Sequence, residues 1–228
     1  MKLTGYGIRE WLGSGIIALA LLVGVSFIFP GNPVIRIILA LLIFSSWACI
    51  ATFFRSPRRK IPADAHLIVS PADGIIQDIE VFEANQLDFS NGYDMVRVGI
   101  FLSVLDVHIN RAPVDMTITG KVYRKGKKHD ARSVLAKVEN ESMLLFGEFA
   151  GPDSKLPVAV RQISGAIARH IVCPVMPGAN LMRGTEYGMI KFGSRTELYL
   201  PVCDDISLKV AIGQRIYAGS SVVAEITD

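Results

Sequence analysis

The pair of residues with the most chemistry in this chain is Gly193–Ser194, within Lys191-Phe192-Gly193-Ser194-Arg195-Thr196-Glu197-Leu198. A serine hydroxyl can attack the carbonyl of the residue before it and turn the peptide into an ester. Elimination then cuts the chain and leaves dehydroalanine, which hydrolyses to a pyruvoyl group on the new C-terminal fragment. Glycine suits the position before such a serine because it has no Cβ and accepts strained backbone angles at a tight bend. Two more such pairs, Gly13–Ser14 and Gly219–Ser220, show that the dipeptide alone decides nothing, since most are simply turns.

Two other segments carry reactive groups. Ser70-Pro71-Ala72-Asp73-Gly74 is a turn between apolar runs with an acid at its tip, a place where aspartate commonly bonds its own backbone. Leu105-Asp106-Val107-His108-Ile109-Asn110-Arg111-Ala112-Pro113 follows the apolar run Val98–Leu102. A histidine set among Asp, Asn and Arg on a loop is unlike a core residue and suits a general base. Cys49, Cys173 and Cys203 are too few and too scattered for a disulfide framework or a metal site. They read as reduced thiols, and no metal is expected.

The elements that must position these groups divide into two parts. With 50% hydrophobic residues and a mean hydropathy of +0.39, the chain is too apolar for an ordinary soluble domain. Trp11–Phe29 has only two serines as polar residues besides glycines, and Ile37–Phe54 carries no charge. Each is roughly 27–29 Å long at ~1.5 Å per residue, close to the thickness of a bilayer core. Pro30-Gly31-Asn32-Pro33 separates them, so residues 1–60 read as a two-helix membrane hairpin, spanning or re-entrant. A cleaved signal peptide fits less well, because the second apolar run follows at once. Lys2 and Arg9 precede the first run, and Arg55, Arg58, Arg59 and Lys60 follow the second. That bias puts both ends in the cytoplasm, and the collar can bind anionic headgroups. A net charge of +3 argues against strong nucleic-acid binding.

Residues 61–228 read as one domain of short Val- and Ile-rich strands. The expected strands are His66–Val69, Gly74–Val81, Met95–Leu102, Met116–Tyr123, Met143–Phe149, Leu156–Ile163, Ala168–Cys173, Met189–Phe192, Glu197–Leu200, Ser207–Val210 and Val222–Ile226, with one short helix at Ala131–Lys137. The spacing predicts a mainly β fold, an antiparallel sandwich or barrel. Gly178-x-x-Leu181-x-x-Gly184 repeats as Gly213-x-x-Ile216-x-x-Gly219, the glycine-turn spacing of lipoyl-type β-sandwiches. Those carriers present a lysine at a hairpin tip, whereas here the link between repeats contains Phe192-Gly193-Ser194.

Pro71-Ala72-Asp73-Gly74, Asp106 to Pro113, Gly165 to Cys173 and Phe192-Gly193-Ser194-Arg195, in that order, resemble the phosphatidylserine decarboxylase proenzymes, in their short membrane-anchored branch. The resemblance covers nearly the whole chain from the hairpin to Pro201. It implies Ser194 as nucleophile, His108 as base and Asp73 as the orienting carboxylate. It also implies self-cleavage between Gly193 and Ser194 into a β chain, 1–193, and an α chain, 194–228, that remain together as a heterodimer. The pyruvoyl group derived from Ser194 would be the cofactor, forming a Schiff base with the lipid amine and drawing electrons as carbon dioxide leaves. Activity would fall on a membrane phospholipid, phosphatidylserine, giving phosphatidylethanolamine on the cytoplasmic face, with a higher homo-oligomer also open. Arg111 and Arg195 depart from the long branch, which has histidine and threonine there. That leaves open whether His108 serves both cleavage and decarboxylation or His170 helps. His170 is also a candidate substrate contact, and it also reads as a strand residue paired with local backbone. Arg111, Lys125 and Lys127 are candidates for the substrate's phosphate or carboxylate, the two lysines lying in a basic run that also reads as a solvated loop. Three alternatives stand beside this one. They are a pyruvoyl decarboxylase of a soluble amino acid, a decarboxylase of an ether-linked archaeal serine lipid, and a non-enzymatic membrane-tethered carrier or adaptor.

Overall fold

The computed structural model describes residues 2–227 apart from 128, 131–132, 153, 166–169 and 192–193. The chain separates into two compact units, Met1–Arg58 and Arg59–Asp228. In the first, strand β1 (Lys2–Leu3) precedes helices α1 (Ile8–Ile28) and α2 (Pro33–Phe53), and β2 (Arg55–Ser56) returns to pair with β1. Asn32 accepts a bond from the Ile35 amide and Pro33 occupies the first turn, so α2 starts four residues before its charge-free run. Both helices are apolar all round, with Phe27 81% exposed, and both are long and apolar enough to cross a membrane. Trp47 Nε1 donates to the Trp11 carbonyl at 3.2 Å and links the two.

The second unit is the expected mainly β, antiparallel structure. Its strands are β3 (Leu67–Val69), β4 (Gly74–Phe82), β5 (Met95–Leu102), β6 (Ile109–Arg111), β7 (Met116–Arg124), β8 (Ser142–Ala150), β9 (Lys155–Ser164), β10 (His170–Val172), β11 (Asn180–Leu181), β12 (Glu186–Lys191), β13 (Ser194–Pro201), β14 (Ile206–Leu208), β15 (Arg215–Ile216) and β16 (Val222–Ile226). Helix α3 spans Val134–Glu139, after β7. An eight-stranded sheet runs β11-β7-β8-β9-β13-β5-β4-β15, flanked by three-stranded sheets β10-β12-β6 and β14-β16-β3. Every strand pair among the described residues is antiparallel. Ile76, Val98, Ile100, Ile118, Val160 and Leu198 lie in the core on the inner face of the large sheet.

Four differences from the sequence expectation have local causes. Helix α3 begins at Val134 because Ser133 caps it, its hydroxyl accepting from the Ala136 amide. Strand β13 starts at Ser194 rather than Glu197, since the polar side chains of Arg195 and Thr196 find partners inside the protein. Strand β12 starts at Glu186, where it meets Arg111 of β6. The two- and three-residue strands β6, β11 and β15 are too short to leave a pattern.

The glycine repeat is one half of a wider duplication. Gly178, Gly184, Gly213 and Gly219 all have positive φ, between 74° and 90°. Gly178 and Gly213 donate to the carbonyls of Ile118 and Ile76, and Gly184 and Gly219 donate to those of Ala112 and Ser70, all at 2.8 Å. The Arg111 amide bonds the Pro71 carbonyl while the Val69 amide bonds that of Pro113. Residues 70–76 and 112–118 are thus the two copies of one loop-and-strand unit, related by an approximate two-fold axis.

Candidate active site

One end of the large sheet collects the reactive residues. There β13 begins at Ser194, paired with Leu102 at the end of β5 and with Ser164 at the end of β9. Strand β4 starts at the same end with Gly74, whose φ of +153° and contact with the Phe101 carbonyl leave no space for a Cβ. Ser70 shapes the turn before it, donating to the Ala72 carbonyl at 2.6 Å and accepting from the Ala72 amide. The three segments singled out in the sequence therefore converge, although Gly193 itself lies outside the described residues.

Ser194 is fully buried, and among the described residues its Oγ has no hydrogen-bond partner. The Oγ of Ser164, its cross-strand neighbour, is in the same condition. A buried hydroxyl without a partner costs about 1–3 kcal/mol, a penalty that structural serines avoid. Thr196 follows on the same face of β13, and its Oγ1 accepts from Asn110 Nδ2 at 2.9 Å. Asn110 also donates to the Pro71 carbonyl at 3.3 Å and accepts from Gln162 Nε2 at 2.8 Å. This uncharged network binds β13 to β6, with Ser194 and His108 each two residues before a member of the pair.

His108 is buried at the end of a turn made by Ser103 and Asp106. Asp106 Oδ2 accepts from the Ser103 amide and hydroxyl, both at 2.8 Å, and Oδ1 accepts from Arg215 Nη1 at 2.7 Å. Burial would raise the Asp106 carboxyl, but the Arg215 and Ser103 bonds outweigh it and hold it below the usual range. His108 Nδ1 lies 2.9 Å from the Asp106 carbonyl oxygen. A carbonyl only accepts, so Nδ1 carries the proton, and in the neutral ring Nε2 is then the nitrogen with the lone pair, the tautomer a base requires. The His108 carbonyl in turn accepts from the Ile190 amide, fixing the segment to β12.

Asp73 is buried, with Oδ1 accepting from the Ala218 amide at 2.8 Å and Oδ2 from Arg59 Nη2 at 2.6 Å. Burial pushes its carboxyl above the usual range, against the pull of the Ala218 amide and Arg59. The bond to a main-chain amide recurs at the duplicate position, where Asp115 accepts from the Arg183 amide. The copies differ in surroundings, since Asp115 is exposed and Asp73 is buried on an arginine. The hydrogen bonds of Asp73 thus run to Arg59 and Ala218, while His108 Nδ1 is held by the Asp106 main chain.

The substrate candidates fall in three places. Arg111 bonds the Gly184 carbonyl at 2.8 Å and Glu186 at 3.0 Å, and burial is the main cause of its lowered pKa. Lys125 is exposed, and Lys127 pairs with Glu139 at 3.0 Å while staying 69% exposed. Both belong at the Ser194 end of the sheet, because Asn140 bonds His129 on one side and the Ser164 carbonyl, at 2.7 Å, on the other. His170 is exposed and lies across from Lys191 in the β10–β12 ladder.

Residues 47–224 match the phosphatidylserine decarboxylase family. The chain belongs to that family. A phosphatidylserine decarboxylase proenzyme of Carboxydothermus hydrogenoformans is 43% identical over 188 residues, 82% of this chain and 84% of the relative. One from Geobacter sulfurreducens is 41% identical over 174 residues, 76% of each chain. One from Geobacter metallireducens is 34% identical over 212 residues, 92% of this chain and 93% of the relative. As a phosphatidylserine decarboxylase family member the chain is an enzyme, a decarboxylase. Sequence reasoning missed Arg59 on Asp73, Arg215 on Asp106, and the Asn110–Gln162–Thr196 network. Arg59 had been placed in a membrane collar by its neighbours, and nothing local marks Gln162 or Asn140.

Proposed function

We propose that this enzyme decarboxylates phosphatidylserine to phosphatidylethanolamine after cutting itself between Gly193 and Ser194. The observation that carries the reading is the buried Ser194 hydroxyl at the head of β13, without a partner among the described residues, in a sheet end shared with a histidine of fixed tautomer. In the cut, His108 Nε2 takes the hydroxyl proton as Oγ attacks the Gly193 carbonyl carbon. The Gly193–Ser194 C–N bond breaks, the nitrogen takes a proton, and an ester remains. Loss of the Ser194 α-proton and of the Gly193 carboxylate gives dehydroalanine. Tautomerisation and hydrolysis release ammonia and leave the pyruvoyl group at position 194. Ser164, Gln162, Asn110 and Thr196 form an uncharged polar wall suited to such a group.

The pyruvoyl group supplies the electron sink for loss of carbon dioxide. His108 returns a proton to the carbon that lost its carboxylate. Asp73 contributes through the Ser70–Gly74 loop, whose Pro71 carbonyl anchors Arg111 and Asn110. Lys125 and Lys127 attract the headgroup phosphate, and Arg111 and His170 line the approach. The hairpin anchors the enzyme in the bilayer with the site at headgroup depth on the cytoplasmic side. The fragments 1–193 and 194–228 stay together because β13 is a central strand between β5 and β9.

Denaturing electrophoresis with mass spectrometry tests this reading. Wild type yields a 35-residue fragment without a free N-terminal amine, and Ser194→Ala stays a single chain of 24.9 kDa. An uncut wild-type chain that is fully active removes the proposal.

A further inference from the structure

The face of β13 opposite Ser194 carries a buried group of charges that the reaction does not use. Arg195 is fully buried, its Nε bonding Glu197 Oε1 at 2.9 Å, Nη2 bonding Asp78 Oδ1 at 2.7 Å and Nη1 bonding Gln77 Oε1 at 3.3 Å. Glu197, also fully buried, accepts from the Tyr199 hydroxyl at 2.8 Å and lies 3.7 Å from Arg97 and 3.6 Å from Arg161. The room is made for the guanidinium, since a Cβ at Gly99, across the ladder from Glu197, would overlap Arg195 Nη2. A buried ion cluster rarely adds net stability over apolar packing, so its use here lies in fixing a position.

The division of partners shows which position. Arg195, Glu197 and Tyr199 follow the Gly193–Ser194 bond, whereas Gln77, Asp78, Arg97 and Arg161 precede it. We propose that Arg195 is a positioning residue, clamping the new N-terminal strand across the cut so that residue 194 keeps its place after cleavage. The clamp rests on the self-cleavage proposed above. Before the cut, residue 194 is held covalently on both sides; afterwards only its C-terminal side is, and a chain terminus frays from its first residue. Arg195 is the first side chain able to stop this, and it reaches Asp78 on the other fragment. Lysine cannot replace it, because one ammonium lacks the planar fork that meets Asp78, Gln77 and Glu197 together.

The test uses the full-length enzyme in detergent with Arg195→Lys, Asp78→Asn and the double variant. Self-cleavage is read on gels, kcat and KM on dispersed substrate, and amide hydrogen exchange of residues 195–200 in cleaved protein and in the uncleavable Ser194→Ala background. Both single variants should cut themselves, show faster exchange at the start of β13 only in the cleaved form, and lose roughly 10–100-fold in kcat at unchanged KM, as about 1 Å of misplacement does. The double variant should be no worse than either single one, because both remove the same contact. If Arg195→Lys does not fold, Asp78→Asn carries the test alone, since its side chain is at the edge of the cluster with 19% exposure. Equal exchange in cleaved and uncleaved forms, or unchanged kcat, overturns the clamp. An uncut wild type overturns the cleavage reading as well, so the two failures are distinguishable.

Discussion

Asp78→Asn should destabilise the β unit by an amount that depends on pH in a fixed way. Asp78 faces three cations, Arg195 at 2.7 Å, Lys137 at 3.1 Å and Arg97 at 3.3 Å. Burial opposes its charge, yet Arg195 and Lys137 pull its carboxyl from 3.8 down to about 2. A shift of that size corresponds to about 2.5 kcal/mol, and about 2 kcal/mol is a fair figure once its 19% exposure is allowed for. A depressed folded-state pKa means that the unfolded chain binds the proton more readily. The contribution is therefore complete above the unfolded value and lost as pH falls through the folded one. The wild-type advantage should be constant above about pH 5 and close between about pH 4 and pH 2. At neutral pH the unfolding midpoint should drop by about 4–8 °C in a unit of this size. Differential calorimetry or far-ultraviolet circular dichroism in nonionic detergent, on the Ser194→Ala background, measures it. Tryptophan emission does not serve, because Trp11 and Trp47 both lie in the hairpin. A gap below about 0.5 kcal/mol, or one that persists undiminished at pH 2, refutes the account of the cluster as an ion network.

Three further outcomes are expected. Asn110→Ala removes bonds to Thr196, Pro71 and Gln162, leaving buried polar groups without partners, and should cost about 2–4 kcal/mol in denaturant unfolding while slowing self-cleavage on gels. Gly74→Ala forces a Cβ into the Phe101 carbonyl at a φ of +153° and should cost about 3 kcal/mol, seen as a lowered denaturation midpoint. Arg59→Gln removes the cation that opposes the effect of burial on Asp73, so that carboxyl rises further. If ionised Asp73 supports maturation, the acid limb of the self-cleavage rate should move to higher pH; an unmoved limb shows that Asp73 does not titrate in that step.

Composition and periodicity were enough for the hairpin, because a bilayer-length apolar run needs no partner to be recognised. They were enough for the long strands as well, and for the mainly β, antiparallel class. Residue types also picked out Ser194, His108 and Asp73, which the fold gathers at one end of a sheet. The internal duplication was visible only as glycine spacing, since its halves are interleaved at two different offsets and share few identical residues. Which face each β13 residue occupies, and what meets it there, was decided by tertiary structure. Ser194 and Thr196 turn to an uncharged network, and Arg195 and Glu197 turn to a buried charge cluster. The partners lie far away in the chain, 86 residues for Asn110 and Thr196 and 117 for Asp78 and Arg195. A local pattern records whether a residue is apolar and how its neighbours alternate. It holds no record of a polar group brought in from a distant strand, and that is why Arg59 read as part of a membrane collar until the fold set it on Asp73.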